Sequence, residues 1–443
     1  YTHDYGLLII DEIGQYRNVT KWSAALRGLR LRAFGAVGMT ATPIVNSPLD
    51  VWHLGQILDI KGTDDPTWEA EMRTEILAAN RKATKEFQKL RETDNFVQSV
   101  SESKVDLPEK KAQLQKFTGL VSGLRTVFSP HVIRQTIHSV DWQGNAISGL
   151  DKYNEVVLTL EPFPREAAVL EEHAQATVDE YGSTLPTVAK NFGHVRRPHP
   201  RLEIVSRVLI PPQSFYVKFR RTHTHWRLAD NDAYLPADLE DYKFQPSTKL
   251  NSILRLLKYH LEQDNRPPLV VNPNFQDMLV PATDWIAKLR GPNSPPDKIV
   301  IYVAFPSNNY LIKKVLSFYG ISCVEINGKK SMTARNTDLI AFKKAGREGP
   351  RVLILSNVGL TGLNIAEANI LIILDNTWSR QEDAQLVGRV WRLPQTKDVI
   401  VYRMILKTLT DIFLNILSFT KAQILMAFLE TSDNMSKFFA MVY

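Results

Sequence analysis

Ile299-Val300-Ile301-Tyr302-Val303-Ala304 is a continuous apolar run, and the residues after it repeat the type. Short runs without polar alternation suit strands buried on both faces, as in a parallel sheet. Helices are expected over Tyr310–Tyr319 and Thr333–Lys344, and strands over Ser322–Ile326, Val352–Leu355 and Ile370–Leu374. That alternation indicates an α/β fold with helices on both faces of a parallel sheet. Just upstream, Lys249–Leu261 reads as an amphipathic helix, with Leu250, Ile253, Leu254, Leu257 and Leu261 on one stripe. Pro267-Pro268 and Gly291–Pro296 read as loops.

Nearer the start, Leu7-Leu8-Ile9-Ile10 is another buried-type run, and it ends in Asp11-Glu12. Ala33–Met39 is a further strand candidate, ending at Thr40-Ala41-Thr42-Pro43. From Thr67 to Leu124 the pattern is helical and charged. From 141 to 245 periodicity weakens, and a basic segment runs through Arg196, Arg197, Arg201, Arg207, Lys218, Arg220, Arg221 and Arg227.

The 443 residues suffice for two or three domains at about 100–200 residues each. An apolar share of 44% and a charged share of 23% exclude wholesale disorder. A single cysteine, Cys323, excludes a disulfide scaffold and a cysteine-built zinc site, and reads as a small core residue. No apolar run approaches the roughly 18 residues a membrane span requires. Ile412–Leu429 is the greasiest stretch, but Asn415, Ser418, Thr420, Lys421 and Gln423 interrupt it, so it reads as a packed helix. The net charge of +7 permits an acidic partner without requiring one. Tyr1 is not a methionine, no signal peptide is visible, and a strand is under way by Leu7, so a fragment cut inside a domain is expected.

Asp11-Glu12 ends a strand where open α/β sheets place ligands. There an aspartate can hold magnesium and a glutamate can orient a nucleophilic water, although the pair also suits a helix N-cap. Arg389 and Arg392 lie three apart on one helical face, each with a fork suited to phosphate oxygens; an exposed charged face is the alternative. Asp375 imitates the carboxylate-ended strand but lacks a Glu neighbour, and reads as a strand-end residue. His223 and His225, with His194 and His199 nearby, make a weak metal candidate. The basic segment fits a phosphate track or a solvated face equally well.

Taken in order, these segments resemble the Swi/Snf-type branch of the superfamily-two DNA translocases over most of residues 5 to 405. Leu7–Glu12, with Arg17-Asn18 downstream, resembles the Walker-B segment, motif II. Met39–Asn46 resembles motif III, and Ile133-Arg134-Gln135-Thr136 the Arg-rich stretch after the first lobe. Lys249-Leu250 is similar to the pair opening the second lobe. Gly328, Arg335 and Phe342 fall where the family has them after motif IV, and Ser356–Ile365, with Gly362 and Asn364, resembles motif V. The block Trp378, Gln381, Asp383, Gln385, Arg389, Arg392 and Gln395 stands at the spacing of the last motif.

The resemblance implies two RecA-like lobes with parallel sheets flanked by helices, the first lobe incomplete, with a helical inter-lobe insertion. It divides the chain into first-lobe residues 1–140, a connector or protrusion 141–245, a second lobe 246–405 and a brace helix 406–443. It implies ATP and Mg2+ as cofactors and double-stranded DNA as partner, with nucleosomes as a candidate, and a nuclear location. Asp11 would serve magnesium, Glu12 the attacking water, and Arg389 and Arg392 the γ-phosphate. Gly362 and Gln385 would contact ATP, Thr40, Thr42 and Asn46 would carry coupling, and Arg134, Lys249, Arg196 and Arg197 would face DNA.

The chain also departs from the family. Gly14 replaces the usual His of motif II, motif V is shortened with Leu360 at a small-residue position, and Trp391 replaces the usual His of the last motif. The phosphate loop Gly-x-x-x-x-Gly-Lys-[Ser/Thr] occurs nowhere in residues 1–443. In the family it lies upstream of the Walker-B strand, so truncation is the expected explanation. The leading expectation is the motif-II-to-VI part of a DNA-dependent ATPase. A catalytically dead DNA- or partner-binding protein and an RNA helicase of the same superfamily stay open.

Overall fold

The computed structural model describes residues 3–40, 43, 44, 47–90, 108–133, 139–170, 172, 220–272, 278–283, 285, 294–356, 363–375, 377 and 380–407. Its largest element is a six-stranded parallel sheet in the order β3-β10-β9-β6-β8-β7. These strands are β3 (Asn154–Leu160), β6 (Ile299–Tyr302), β7 (Cys323–Ile326), β8 (Val352–Leu355), β9 (Ile370–Ile373) and β10 (Ile400–Leu406). The expected α/β class is what the chain adopts.

Every residue of β6, β8 and β9 is buried, and the two-residue period divides them between two cores. Ile299, Ile301, Ile354 and Ile372 join a core with Leu250, Ile253 and Leu257 of the helix Thr248–Glu262 and Leu311, Ile312 and Val315 of Asn309–Phe318. Val300, Tyr302, Leu353 and Leu371 face the other way, onto Phe342 of the helix Met332–Lys344 and Leu386, Val387 and Val390 of Arg380–Val390. Such continuous apolar runs are stable only with both faces covered.

The sheet reaches beyond the expected second lobe. β3 lies in the stretch assigned to the connector, yet it pairs in parallel register with β10 from Asn154↔Ile400 to Leu160↔Leu406. Leu228, Tyr234 and Tyr242 also join the core beneath the sheet. At the amino ends of the strands, Lys397 and Asp297 form a buried ion pair, and Asp297 also accepts from Asn369 Nδ2 at 2.9 Å. A short antiparallel pair, β4 (Leu269–Val271) with β5 (Leu279–Pro281), completes this unit.

The first unit holds a two-stranded parallel sheet, β1 (Tyr5–Ile10) and β2 (Ala33–Gly38), joined by the helix Lys21–Arg30. Thr20 and Ser23 form a capping box at the start of that helix. The expected helical run consists of Pro66–Leu90 and Pro108–Phe128, which pack around Trp52. Leu7, Ile9, Phe34 and Val37 of the small sheet are exposed. Among the described residues, no helix is long and apolar enough to cross a membrane. The expected brace after 406 lies outside the described residues apart from its first two.

Two buried histidines link this fold to pH. His225, packed against Trp226, Tyr234 and Tyr242, and His260, hydrogen-bonded to Tyr402 Oη at 2.8 Å, are both held down to about 4 by burial. Unfolded histidines protonate near 6.5, so the unfolded state takes up protons first as pH falls. Stability is therefore full above about pH 6.5 and declines toward pH 4, by about 3 kcal/mol per histidine. Urea denaturation across that window should show this loss, and His260→Gln should remove about half of it, leaving the share of His225.

Candidate functional site

β1 delivers Asp11 and Glu12 to the carboxyl end of the small sheet. Glu12 adopts a left-handed backbone conformation (φ 49°, ψ 44°), rare for a residue with a side chain, and its amide donates to Asp11 Oδ1 at 2.9 Å. A short 3-10 turn, Ile13–Tyr16, follows at once, so the chain folds back sharply beneath the two carboxylates. Asp11 is exposed and Glu12 half-buried.

Backbone hydrogen bonds tie this turn to the end of β2. Met39 N donates to Ile10 O at 2.9 Å, and Ile13 N donates to Met39 O at 3.0 Å. Gly38 permits the approach: a Cβ there would meet Ile13 Cδ1 at 2.8 Å. The two motif-like segments are thus joined through main chain and a glycine, with no side chain at Gly14. Arg17 Nη1 donates to Gly14 O at 2.9 Å, and His53 Nδ1 donates to Arg17 O at 2.8 Å. Thr40, half-buried, follows Met39 directly. Thr42 and Asn46 lie outside the described residues.

The helix Arg380–Val390 carries the opposing charges. Its buried side, Leu386, Val387 and Val390, packs under the sheet, and Gln385 and Arg389, one turn apart, are half-buried. The helix ends at Val390, and Arg392 N donates to Val390 O at 3.2 Å, so the half-buried Arg392 lies just past the helix and not, as the spacing predicts, on one helical face with Arg389. Burial pulls the Arg389 guanidinium below its ordinary value, the Glu12 carboxylate pulls it back up, and Arg392 lowers it further. Glu12 and Arg389, distant in sequence, therefore share one electrostatic neighbourhood. Ile365 N donates to Arg389 O at 3.0 Å, which fixes the motif-V-like segment to the same helix. Gly362, Trp378 and Ser379 lie outside the described residues.

Other expected positions have structural roles. Arg335 donates to Lys330 O at 2.9 Å and Gly328 O at 3.2 Å, closing the loop between them, and Phe342 is fully buried. Gln395 Nε2 donates to Ala368 O at 2.7 Å and Ala366 O at 3.0 Å. Asp375 accepts from Ala304 N at 3.0 Å, a strand-end role as expected. Trp391, at the departure from the family's His, donates to Asp151 O at 2.7 Å and meets Tyr153 edge-on at 5.0 Å.

One expectation is corrected. Lys249 is fully buried, and its Nζ donates to Leu374 O at 3.0 Å, so it holds a strand end instead of facing a phosphate. The described members of the basic segment likewise form no open track. Arg220 is buried, Arg221 donates to Asn308 Oδ1 at 2.9 Å, and Arg227 pairs with Asp230 at 3.2 Å. Arg134, Arg196 and Arg197 lie outside the described residues. His223 and His225 are buried within the core, and His194 and His199 lie outside the described residues. Cys323 is half-buried, and burial pushes its thiol up to about 11.

Sequence reasoning missed Arg403 and Glu155. Arg403 Nη1 donates to Asp383 Oδ2 at 2.7 Å, and its Nε donates to Glu155 Oε1 at 3.0 Å. The available signal was an arginine inside the apolar run Ile400–Leu406, which demands buried acceptors.

Residues 283–394 match the family described as the helicase conserved C-terminal domain. Over 110 residues the chain is 32% identical to the CHD3-type chromatin-remodeling factor CHR7 of Arabidopsis thaliana, covering 25% of this chain and 9% of that one. Over 109 residues it is 33% identical to the DNA repair and recombination protein RAD54 of Saccharomyces cerevisiae, covering 25% of this chain and 12% of that one. Among solved structures, the Sulfolobus solfataricus SWI2/SNF2 ATPase core in complex with dsDNA aligns at a TM-score of 0.41 and 17% identity, covering 96% of this chain and 70% of that one. The matched segment thus spans about a tenth of these two curated relatives.

The Gly38–Ile13 contact is testable. Gly38→Ala should destabilise the protein by about 1–3 kcal/mol through overpacking. Gly28→Ala, in a helix with open space around it, should instead be neutral or stabilise by about 0.5–1 kcal/mol. Chemical denaturation of both variants reads the contrast.

Proposed function

We propose that this chain, a Swi/Snf-type helicase-like protein with its helicase C-terminal domain at residues 283–394, is part of a DNA-dependent ATPase that couples ATP hydrolysis to movement on duplex DNA. The observation carrying the reading is the electrostatic neighbourhood shared by Glu12 and Arg389, on units whose sheets are separate. A phosphoryl-transfer site needs such a pairing, with carboxylates for metal and water on one side and guanidinium forks for the transferred charge on the other.

In this reading the two units are RecA-like lobes, and ATP lies between them. Asp11 offers a hard, exposed oxygen donor, and magnesium typically takes one or two protein carboxylates, keeping waters and substrate phosphates as its other ligands. Bound there, magnesium would neutralise phosphate charge. Glu12, held by its left-handed backbone, orients the attacking water. Arg389 and Arg392 bind the γ-phosphate oxygens, and Gln385 sits one turn before Arg389 to contact nucleotide. The Ile13–Met39 hydrogen bond transmits the state of this turn to Thr40. Double-stranded DNA is the partner, and a role in chromatin remodelling or DNA repair in the nucleus is the biological counterpart.

A second reading, a DNA- or partner-binding protein without turnover, is favoured by the lack of a Gly-x-x-x-x-Gly-Lys-[Ser/Thr] loop in residues 1–443. Nucleotide titration separates the two. Residues 1–443 should hydrolyse little ATP even with DNA, yet bind a magnesium-bound, non-hydrolysable triphosphate more tightly than the diphosphate. Arg389→Ala and Arg392→Ala should each reduce that preference by about tenfold or more, the scale of a lost charge-assisted hydrogen bond. Equal affinity for the two nucleotides would favour the second reading.

A further inference from the structure

We infer that the segment Asp151–Glu155, at the entry to β3, is a mount for the helix Arg380–Val390 that sets where Arg389 and Arg392 stand. The inference rests on the proposed nucleotide site and adds the residues that position its arginines.

Attachments run from this one short stretch to both ends of the helix. At its carboxyl end, Trp391 Nε1 donates to Asp151 O at 2.7 Å, and the Trp391 ring meets Tyr153 edge-on at 5.0 Å. Near its amino end, Asp383 accepts from Arg403 Nη1 at 2.7 Å and from Thr377 Oγ1 at 2.5 Å. The same Arg403 binds Glu155 through Nε and Nη2, each at 3.0 Å. Asp383 is 5% and Arg403 4% exposed, so little solvent screens this network.

Geometry makes these contacts a positioning device and not merely packing. Leu386, Val387 and Val390 would hold the helix against the sheet in several nearby rotations, because apolar contact is non-directional. A bidentate guanidinium and an indole N–H are directional. Together they fix both the rotation of the helix and its position along its axis, hence the direction of Gln385 and Arg389 and the point where the chain leaves the helix toward Arg392. Asp151–Glu155 also lies in the chain between the first unit and the large sheet.

Hydrogen–deuterium exchange on residues 1–443 tests this without nucleotide. In Glu155→Ala and in Trp391→Phe, amides of residues 385–392 should exchange about tenfold faster, as local opening predicts when an anchoring hydrogen bond is lost. The central strands Ile299–Tyr302 and Ile370–Ile373 should keep wild-type rates, and Glu155→Gln, which retains an oxygen acceptor, should recover most of the protection. Unchanged exchange at 385–392 in both variants would overturn the inference, as would equal acceleration of the central strands. Failure of the triphosphate preference in the wild type would instead count against the nucleotide site, so the two outcomes are distinguishable.

Discussion

Arg403 places a full positive charge inside a parallel sheet, and much of the architecture follows from satisfying it. A guanidinium with 4% exposure is tolerated only where carboxylates meet it with good geometry. Asp383 comes from the helix after β9 and Glu155 from β3, so one side chain on β10 binds two segments distant in sequence. Its own pKa is held up by those two carboxylates against the effect of burial. The strand pairing agrees: β10 has β9 on one side and β3 on the other, in parallel register with both.

The large sheet then dictates where chemistry can occur. Its central strands are covered on both faces, which leaves the strand ends as accessible polar ground. At the amino ends, Lys397, Asp297 and Asn369 are consumed in buried hydrogen bonds. The Arg380–Val390 helix instead carries the half-buried Arg389, whose guanidinium feels the Glu12 carboxylate of the first unit. There the Glu12 backbone is strained, and the turn beneath it is hydrogen-bonded to the strand before Thr40. Backbone strain and a main-chain link therefore meet at the Asp11-Glu12 turn, whose carboxylate acts on Arg389.

The sequence made the central strands legible because unbroken apolar runs have one sensible environment. β3 and β10 escaped that reading for the opposite reason. Glu155 and Thr159 alternate with apolar residues in β3, and Arg403 interrupts β10. Their polar residues make sense only once they face each other across the sheet. Lys249 is expected to face DNA only through the family resemblance, whereas here the Leu374 carbonyl draws its ammonium inward. Asp11, Glu12, Arg389 and Arg392 stood out by motif and order, but the proximity of Glu12 to Arg389 depends on how the units fold, which no local pattern encodes. Trp391, a departure by sequence, gains a physical reason from its bond to Asp151.

In the proposed function the Asp11-Glu12 turn and the helix bearing Arg389 form one site, with magnesium held at Asp11. Iron-directed backbone cleavage tests it most directly, because iron(II) in place of magnesium, with ascorbate and peroxide, cuts only the chain within reach of the bound ion. Cuts are expected at residues 11–13 and also within 385–392, both lost in Asp11→Asn. Cleavage confined to the neighbourhood of residues 11–13, or a pattern indifferent to Asp11→Asn, would contradict it.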